Sequence, residues 1–207
     1  RKLATPQLGG TQDVALRNYV VANGLQTVEN GGTVEIIPTQ NSQTLDLFKQ
    51  GMIDGAWVPE PWASRLIVEG GGVLFLDESD LWPDGAFVTT HIIVSTSFLK
   101  DHPDLVTRWL RAQVDITAWE QENPAEAKTL VNAEIERLTG KKLDAAVLEQ
   151  AWDRMTITWD PISPSLVSSA ESAFNIGFLA EKPDLTGIYD LSLLNALLAE
   201  KGLPAVR

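Results

Sequence analysis

The sequence predicts an α/β protein, because segments typical of strands and segments typical of helices alternate through the first 82 residues. Short apolar runs, typical of buried strands, are separated by longer segments whose apolar residues recur every three or four positions, as on one face of a helix. Alternation of this kind predicts parallel βαβ units. A hydrophobic content of 44% is typical of a globular chain, and 207 residues allow one large domain or two small ones.

The predicted elements of this first part follow one another closely. They are strand 2–5, helix 12–23, strand 34–38, helix 41–50, strand 53–58, helix 61–69 and strand 73–76. Helix 41–50 is the best defined, with Asn41 predicted as its N-cap, Leu45 and Phe48 on its apolar face and Gly51 at its end. The loops after the strands should lie together at one edge of the sheet, where open α/β sheets bind ligands.

After residue 82 the pattern changes to one further strand followed by helices. The turn 81–85 precedes a predicted strand 87–94, and helices are predicted over 103–121, 124–138, 143–153, 163–180 and 190–201. Strand 87–94 has no sheet of its own in this second part, and folded proteins cover such unpaired edges. We therefore expect it either to join the first sheet or to pair with strands upstream of residue 1. Exposed apolar surface around it would favour a homodimer.

Composition argues against several classes of function. The formal net charge of −12 disfavours nucleic acid or an anionic membrane as a partner. The absence of cysteine excludes disulfides, thiolate metal sites and cysteine nucleophiles. His91 and His102 lie far from any second ligand at metal-binding spacing, so we expect neither a metal nor another cofactor. No apolar run approaches the roughly 18 residues of a membrane-spanning helix.

The segment 5–13, with the sequence TPQLGGTQD, is the most informative stretch of the chain. It places a small-residue turn between strand 2–5 and helix 12–23. Gly9 and Gly10 allow the backbone to turn and to approach a ligand, and Thr11 can cap the helix or present its hydroxyl outward. The free N–H groups of a first helical turn suit an anion such as a sulfonate, nitrate or carboxylate. The alternative is an ordinary capped helix that binds nothing.

Several motifs resemble those of substrate-binding proteins of ABC importers for aliphatic sulfonates, taurine and nitrate, and they cover nearly the whole chain. The motifs are ATPQLG at 4–9, IIPTQ at 36–40, DGAWVPEPWA at 54–63, LDESDLWP at 76–83, FLKDHPD at 98–104 and NPAEA at 123–127. GAWVPEPWA followed by FLKDHPD is the most specific combination. The resemblance implies a type II periplasmic-binding-protein fold, in which two α/β lobes joined by two crossovers clamp one ligand between them.

The resemblance also implies a division of the chain and a role for it. Residues 1–82 would be lobe 2, with a mostly parallel sheet, and residues 83–207 the returning crossover strand and C-terminal helices of lobe 1. The stretch that supplies the first sheet of lobe 1 would be missing from the start. The implied role is a non-enzymatic solute-binding component of an ABC importer. Such a component is periplasmic or otherwise extracytoplasmic, sometimes as a membrane-anchored lipoprotein, and delivers a small organosulfonate or related oxyanion to the membrane permease.

By resemblance, the oxyanion-binding turn of the family maps onto Gln7, Gly10, Thr11 and Gln12. Thr11 and the local backbone would donate hydrogen bonds to the anionic head of the ligand.

The remaining predicted site residues follow later strands. By resemblance, Trp57 and Glu60 line the cleft, where an indole can pack against an alkyl tail. The alternative is that Trp57 belongs to the core and Glu60 is a solvated charge. Thr89, Thr90 and His91 lie just past the crossover, and strand alternation would present either Thr89 with His91 or Thr90 alone.

Two other classes of function share this fold. One is an enzyme similar to thiamine-pyrimidine synthases, which carry a cysteine-rich motif that this chain lacks. The other is the effector-binding domain of a transcription regulator, which would need a winged helix upstream. Among anions, residue types do not distinguish a sulfonate, taurine, nitrate or a carboxylate, and the preference for a sulfonate rests on the resemblance.

Overall fold

The computed structural model describes residues 1–207, which form two compact units that interleave along the chain. The first unit contains Arg1–Thr89, Leu143–Met155 and Ser165–Asp184. The second unit contains Thr90–Lys142, Thr156–Pro164 and Leu185–Arg207. The division into lobes at residues 82 and 83 stays a prediction.

A three-stranded parallel sheet lies in the first unit. Its strands are β1 (Lys2–Thr5), β2 (Glu35–Pro38) and β3 (Gly55–Ala56), in the order β2-β1-β3. Leu3 lies opposite Ile36 of β2 and Gly55 of β3. The predicted parallel α/β arrangement is therefore confirmed, and the central strand β1 leads directly into the segment 5–13.

Nine α-helices complete the secondary structure. They are α1 (Thr11–Ala22), α2 (Asn41–Lys49), α3 (Trp62–Val68), α4 (Thr96–Asp101), α5 (Pro103–Glu122), α6 (Pro124–Thr139), α7 (Ala145–Asp153), α8 (Ser163–Asn175) and α9 (Ser192–Glu200). Short 3₁₀ helices span Val28–Asn30, Glu78–Leu81 and Pro83–Gly85. None of the helices combines the length and the apolar character that crossing a bilayer requires.

Each unit has its own apolar core. In the first unit α1 packs on the sheet through Leu16, Val20, Val34 and Ile36, and Leu3 and Trp57 pack against this cluster. In the second unit α5 and α9 meet through Val114, Leu194 and Leu198, with Trp159 packed against them. Burial of these side chains is the main term that stabilises each unit.

The predicted strands 73–76 and 87–94 are wrong. Neither segment forms a strand or pairs with one. Their apolar side chains face solvent, with Val73, Phe75 and Ile93 exposed by 88%, 86% and 89%. An apolar pattern favours extended backbone, whereas a strand also requires a neighbour that accepts and donates its hydrogen bonds. The amide of Val88, for example, donates to the Ser165 hydroxyl at 3.1 Å.

Strand 53–58 is shorter than predicted and reduces to β3. The amide of Trp57 still donates to the carbonyl of Ala4 at 2.9 Å, but Pro59 and Pro61 follow and have no N–H to continue the ladder. Among the helix starts, Gly10 and Gln40 occupy the N-cap positions predicted for Thr11 and Asn41.

Two helical segments also differ from prediction. Helix α4 was not predicted, and the Ser95 hydroxyl caps it by accepting the amide of Phe98 at 3.2 Å. The predicted helix 163–180 ends at Asn175, before Gly177 adopts a positive φ of 82°.

Candidate functional site

The segment 5–13 forms a tight turn at the carboxyl end of the central strand. The amide of Gly10 donates to the carbonyl of Gln7 at 3.1 Å, and Gly9 has a φ of +70°, which favours glycine. The carbonyl of Gly10 accepts the amide of Val14 at 3.0 Å and so begins α1. The turn therefore brings Gln7, Gly10, Thr11 and Gln12 together, as predicted for the oxyanion-binding turn.

The first turn of α1 presents free hydrogen-bond donors. The amides of Thr11, Gln12 and Asp13 have no acceptor within the chain. The Thr11 side chain is exposed and its hydroxyl donates to Gln12 Oε1 at 3.0 Å, so this hydroxyl does not cap the helix. Unpaired amides at a helix N-terminus carry a partial positive charge and suit an anion. The assignment of these residues to a ligand stays a prediction.

Asp13 stabilises the turn from its buried side, a role that the sequence reasoning missed. Its carboxylate has no exposed surface and accepts hydrogen bonds from the Thr5 hydroxyl at 2.9 Å and the Gly9 amide at 2.9 Å. Arg17 Nε donates to it at 3.1 Å, and the Arg17 side chain is 13% exposed. The guanidinium also lies 5.4 Å from the ring centroid of Phe178. The Asp13 charge is thus compensated inside the chain.

Trp57 follows β3 and connects the core to a carboxylate. Its ring lies 5.6 Å from that of Tyr19 and packs against the apolar cluster of the first unit. Its Nε1 donates to Glu78 Oε2 at 2.6 Å. Burial raises the pKa of the Glu78 carboxyl above its ordinary value, although the indole N–H bonds act in the opposite direction. The predicted contact of Trp57 with a ligand stays a prediction.

Glu60 is nearly buried and bonded within the first unit. Its side chain is 9% exposed, its Oε2 accepts the amide of Ser64 at 3.0 Å, and its Oε1 accepts Arg154 Nη1 at 3.1 Å. Arg154 Nη1 also lies 3.3 Å from the Ser64 hydroxyl. Glu60 therefore connects the start of α3 to the end of α7. The sequence reasoning had no signal for Arg154, which is distant in the chain.

The last three predicted residues fall on both units. Thr89 is the last residue of the first segment of the first unit, whereas Thr90 and His91 belong to the second unit, and both threonines are exposed. His91 Nε2 lies 3.1 Å from the carbonyl of Pro161 and 2.8 Å from the Tyr189 hydroxyl. The strand alternation invoked for these residues is wrong, because the segment is not a strand. Their contact with a ligand stays a prediction.

The sequence model of the NMT1-like family matches residues 1–135. A Bacillus subtilis (strain 168) protein named for aliphatic sulfonate binding is 26% identical over 169 residues, which are 81% of this chain and 49% of that protein. The nitrate/nitrite binding protein NrtA of Synechocystis sp. is 27% identical over 135 residues, 65% of this chain and 24% of that protein. No solved structure matches significantly.

These matches confirm the resemblance to the sulfonate and nitrate group of binding proteins, and they are consistent with the type II periplasmic-binding-protein fold. The chain spans about half the length of the Bacillus relative and about a quarter of the Synechocystis relative, by the 49% and 24% coverage.

Proposed function

The chain belongs to the NMT1-like family, and from this premise we propose that it binds a small oxyanion as the solute-binding component of an ABC importer. The ligand class proposed is an aliphatic sulfonate or a related anion. The observation that carries the proposal is the exposed turn at the end of β1, where the amides of Thr11 and Gln12 have no acceptor in the chain.

The geometry of the turn supports an anion over a neutral or cationic ligand. The amides of Thr11 and Gln12 and the Thr11 hydroxyl are all donors, and the helix dipole adds a partial positive charge at the same point. The net charge of −12 opposes an anion at long range, so the binding energy has to come from these local donors. Asp13 does not oppose the anion with a full charge, because Arg17 is bonded to it.

A binding function needs donors and shape, and it requires no nucleophile or base. The names of the two relatives support this, since both are binding proteins, one for aliphatic sulfonates and one for nitrate and nitrite. We therefore assign no catalytic step, metal or cofactor to the chain. Delivery of the anion to a membrane permease, and an extracytoplasmic location, form part of the same proposal.

Self-association is a further part of the proposal. Val73 and Phe75 in the first unit and Ile93 in the second are large apolar side chains that face solvent outside any strand or helix. Contact with a second copy of the chain would remove such side chains from water. A homodimer that covers them would show twice the monomer mass in light scattering, and a stable monomer at high concentration would exclude it.

An NMR titration tests the anion-binding proposal even if affinity is weak. Methanesulfonate added to the ¹⁵N-labelled chain should shift the amide resonances of Thr11, Gln12 and Asp13 saturably. Sodium chloride at equal ionic strength is the control for general charge effects, and methanol is the control for the uncharged part of the ligand. The proposal is wrong if these amides respond equally to methanesulfonate and to chloride.

A further inference from the structure

Glu78 forms a half-buried cluster with two tryptophans, defined here as the indole–carboxylate cluster of Trp57, Glu78 and Trp82. Oε2 of Glu78 accepts Trp57 Nε1 at 2.6 Å, and Oε1 accepts Trp82 Nε1 at 3.4 Å. No lysine or arginine forms an ion pair with Glu78. The negative charge is therefore stabilised chiefly by two indole N–H groups, of which that of Trp57 is short enough for a strong charge-assisted bond.

This bond determines how the Trp57 ring can lie. One side of the indole contacts Tyr19 of α1 and the core cluster, and the nitrogen edge is bonded to Glu78. Apolar packing alone leaves an aromatic ring free to adjust its tilt, because such contacts have little directionality. A hydrogen bond to a fixed carboxylate removes that freedom.

Glu78 also connects Trp57 to the segment that leaves the first unit. Trp82 stacks on Phe87, with ring centroids 5.7 Å apart and planes 9° from parallel. The next residue, Val88, is bonded to Ser165, and the first of the three chain segments that form the first unit ends at Thr89. The cluster thus joins the residue after β3 to the connection between the two units.

We propose that Glu78 is a positioning residue for ligand binding: when ionised it fixes the Trp57 indole in one orientation, and protonation releases the ring and weakens the preference for a ligand with an alkyl tail. The part of this inference that concerns the ligand rests on the proposed function.

The surroundings of Glu78 favour its protonated form. Burial raises the pKa of its carboxyl, and the negative charge of Asp77 adds to this effect. Asp80 and Asp84, on the same and the following 3₁₀ helix, are also acidic. Arg154 lies beside Asp77, with its Nε 4.0 Å from Asp77 Oδ2, while its Nη1 is bonded to Glu60. Tyr19 adds an uncharged phenol on the side of α1.

The first test observes the bond itself and needs no ligand. The chain has seven tryptophans, and the Trp57→Phe variant identifies the indole N–H resonance of Trp57 in a ¹⁵N spectrum. We expect that resonance to lie downfield in the wild-type chain and to move upfield as the pH falls from about 8 to about 4, through the raised pKa of a buried carboxyl. If the Trp57 indole resonance does not change with pH, the inference that Glu78 orients Trp57 through its charge is wrong. This test requires no substitution at Glu78.

Substitution then identifies the titrating group. Glu78→Gln should move the Trp57 indole resonance upfield at neutral pH and abolish its pH dependence. Glu120→Gln is the matched control, because burial also raises the pKa of Glu120. Glu120→Gln should leave the Trp57 titration unchanged. An unchanged Trp57 resonance in the folded Glu78→Gln variant would contradict the assignment of the titration to Glu78.

The second test concerns the ligand. Affinities for methanesulfonate and hexanesulfonate are compared at neutral pH, and Glu78→Gln should lower the hexanesulfonate preference by about three- to tenfold while changing the methanesulfonate affinity little. If Trp57→Phe loses the preference for hexanesulfonate but Glu78→Gln keeps it, Glu78 does not position Trp57 for the ligand. The proposed function would then still stand. Absence of any sulfonate binding by the wild-type chain would overturn both.

Discussion

The hydroxyl of Thr5 donates to Asp13 Oδ1 at 2.9 Å, and neither side chain has exposed surface. Thr5 ends β1 and Asp13 lies in the first turn of α1, so this bond joins the strand to the helix behind the loop that separates them. The second oxygen of Asp13 accepts the amide of Gly9 within that loop. The exposed amides of Thr11 and Gln12 are therefore presented by a turn that is fixed from its buried side.

Loss of the Thr5 hydroxyl should destabilise the chain. Thr5→Val preserves shape but leaves one buried oxygen of Asp13 without a donor, so we expect a loss of about 1–3 kcal/mol in the free energy of unfolding. Urea denaturation followed by circular dichroism measures the loss. Thr129→Val is the matched control, because the Thr129 hydroxyl is exposed and bonded only to the carbonyl of Ala125. Equal losses in the two variants would contradict a special role for Thr5.

Loss of the Asp13 charge should lower the free energy of unfolding more than loss of the Thr5 hydroxyl that donates to Asp13. Asp13→Asn leaves the Arg17 guanidinium, only 13% exposed, without its buried carboxylate, and we expect a loss of roughly 3–5 kcal/mol. Adding Arg17→Gln should recover part of this loss, because it removes a mostly buried cation that would retain only its 3.8 Å ion pair with Glu29. Asp46→Asn, an exposed carboxylate on α2, is the control and should change stability by less than about 0.5 kcal/mol. A double variant no more stable than Asp13→Asn would show that the two residues act independently.

The Thr11 hydroxyl is expected to contribute to anion binding. Thr11→Ala should weaken methanesulfonate binding by about 1.5–3 kcal/mol, the usual loss of a hydrogen bond to a charged group. The loss should lie near the lower value, because the hydroxyl first has to leave Gln12 Oε1. Calorimetry or the NMR titration measures it. Thr11→Ser, which keeps the hydroxyl, is the control, and equal affinity in all three chains would remove Thr11 from the site.

The bond between Arg154 and Glu60 should stabilise the contact of α7 with α3. Arg154→Gln leaves Glu60 nearly buried with one partner fewer, so we expect a loss of about 1–3 kcal/mol in the free energy of unfolding. Arg137→Gln is the control, since Arg137 and Glu134 form an exposed pair on one helix, and exposed pairs contribute little to stability. Thermal unfolding compares the two variants. A smaller effect at Arg154 than at Arg137 would contradict the structural role.

The sequence predicted what is encoded locally. Apolar periodicity located β1, β2 and most helices, and the glycines of segment 5–13 indicated a turn with free donors. Asp13 and Arg17 are four residues apart on α1, so this pair was within reach of pattern reasoning.

The remaining features depend on tertiary contacts. Glu78 and Trp57 are 21 residues apart, and Arg154 and Glu60 are 94 apart, so no local pattern relates them. The segment 87–94 has a strand-like pattern, but a pattern cannot show whether a neighbouring strand exists. Local signals therefore predicted the turn, and distant contacts determine how Trp57 and Glu60 are oriented.

Glu78 should make the chain less stable as the pH rises. Because burial raises its pKa in the folded state, the folded chain binds a proton more tightly than the unfolded chain does. The contribution of Glu78 to stability is then fully present below the ordinary carboxyl pKa and is lost as the pH rises through the raised value. The side chain at position 78 of the Glu78→Gln variant cannot ionise. The free energy of unfolding of this variant should therefore exceed that of the wild-type chain most at neutral pH, and the difference should disappear at about pH 4.

Unfolding free energies of both chains, measured across this pH range, check the expectation. A wild-type chain that gains stability relative to Glu78→Gln as the pH rises would show that the indole bonds outweigh burial. The expected result would mean that the charge which orients Trp57 is kept at a cost in stability, as is common for groups retained for function.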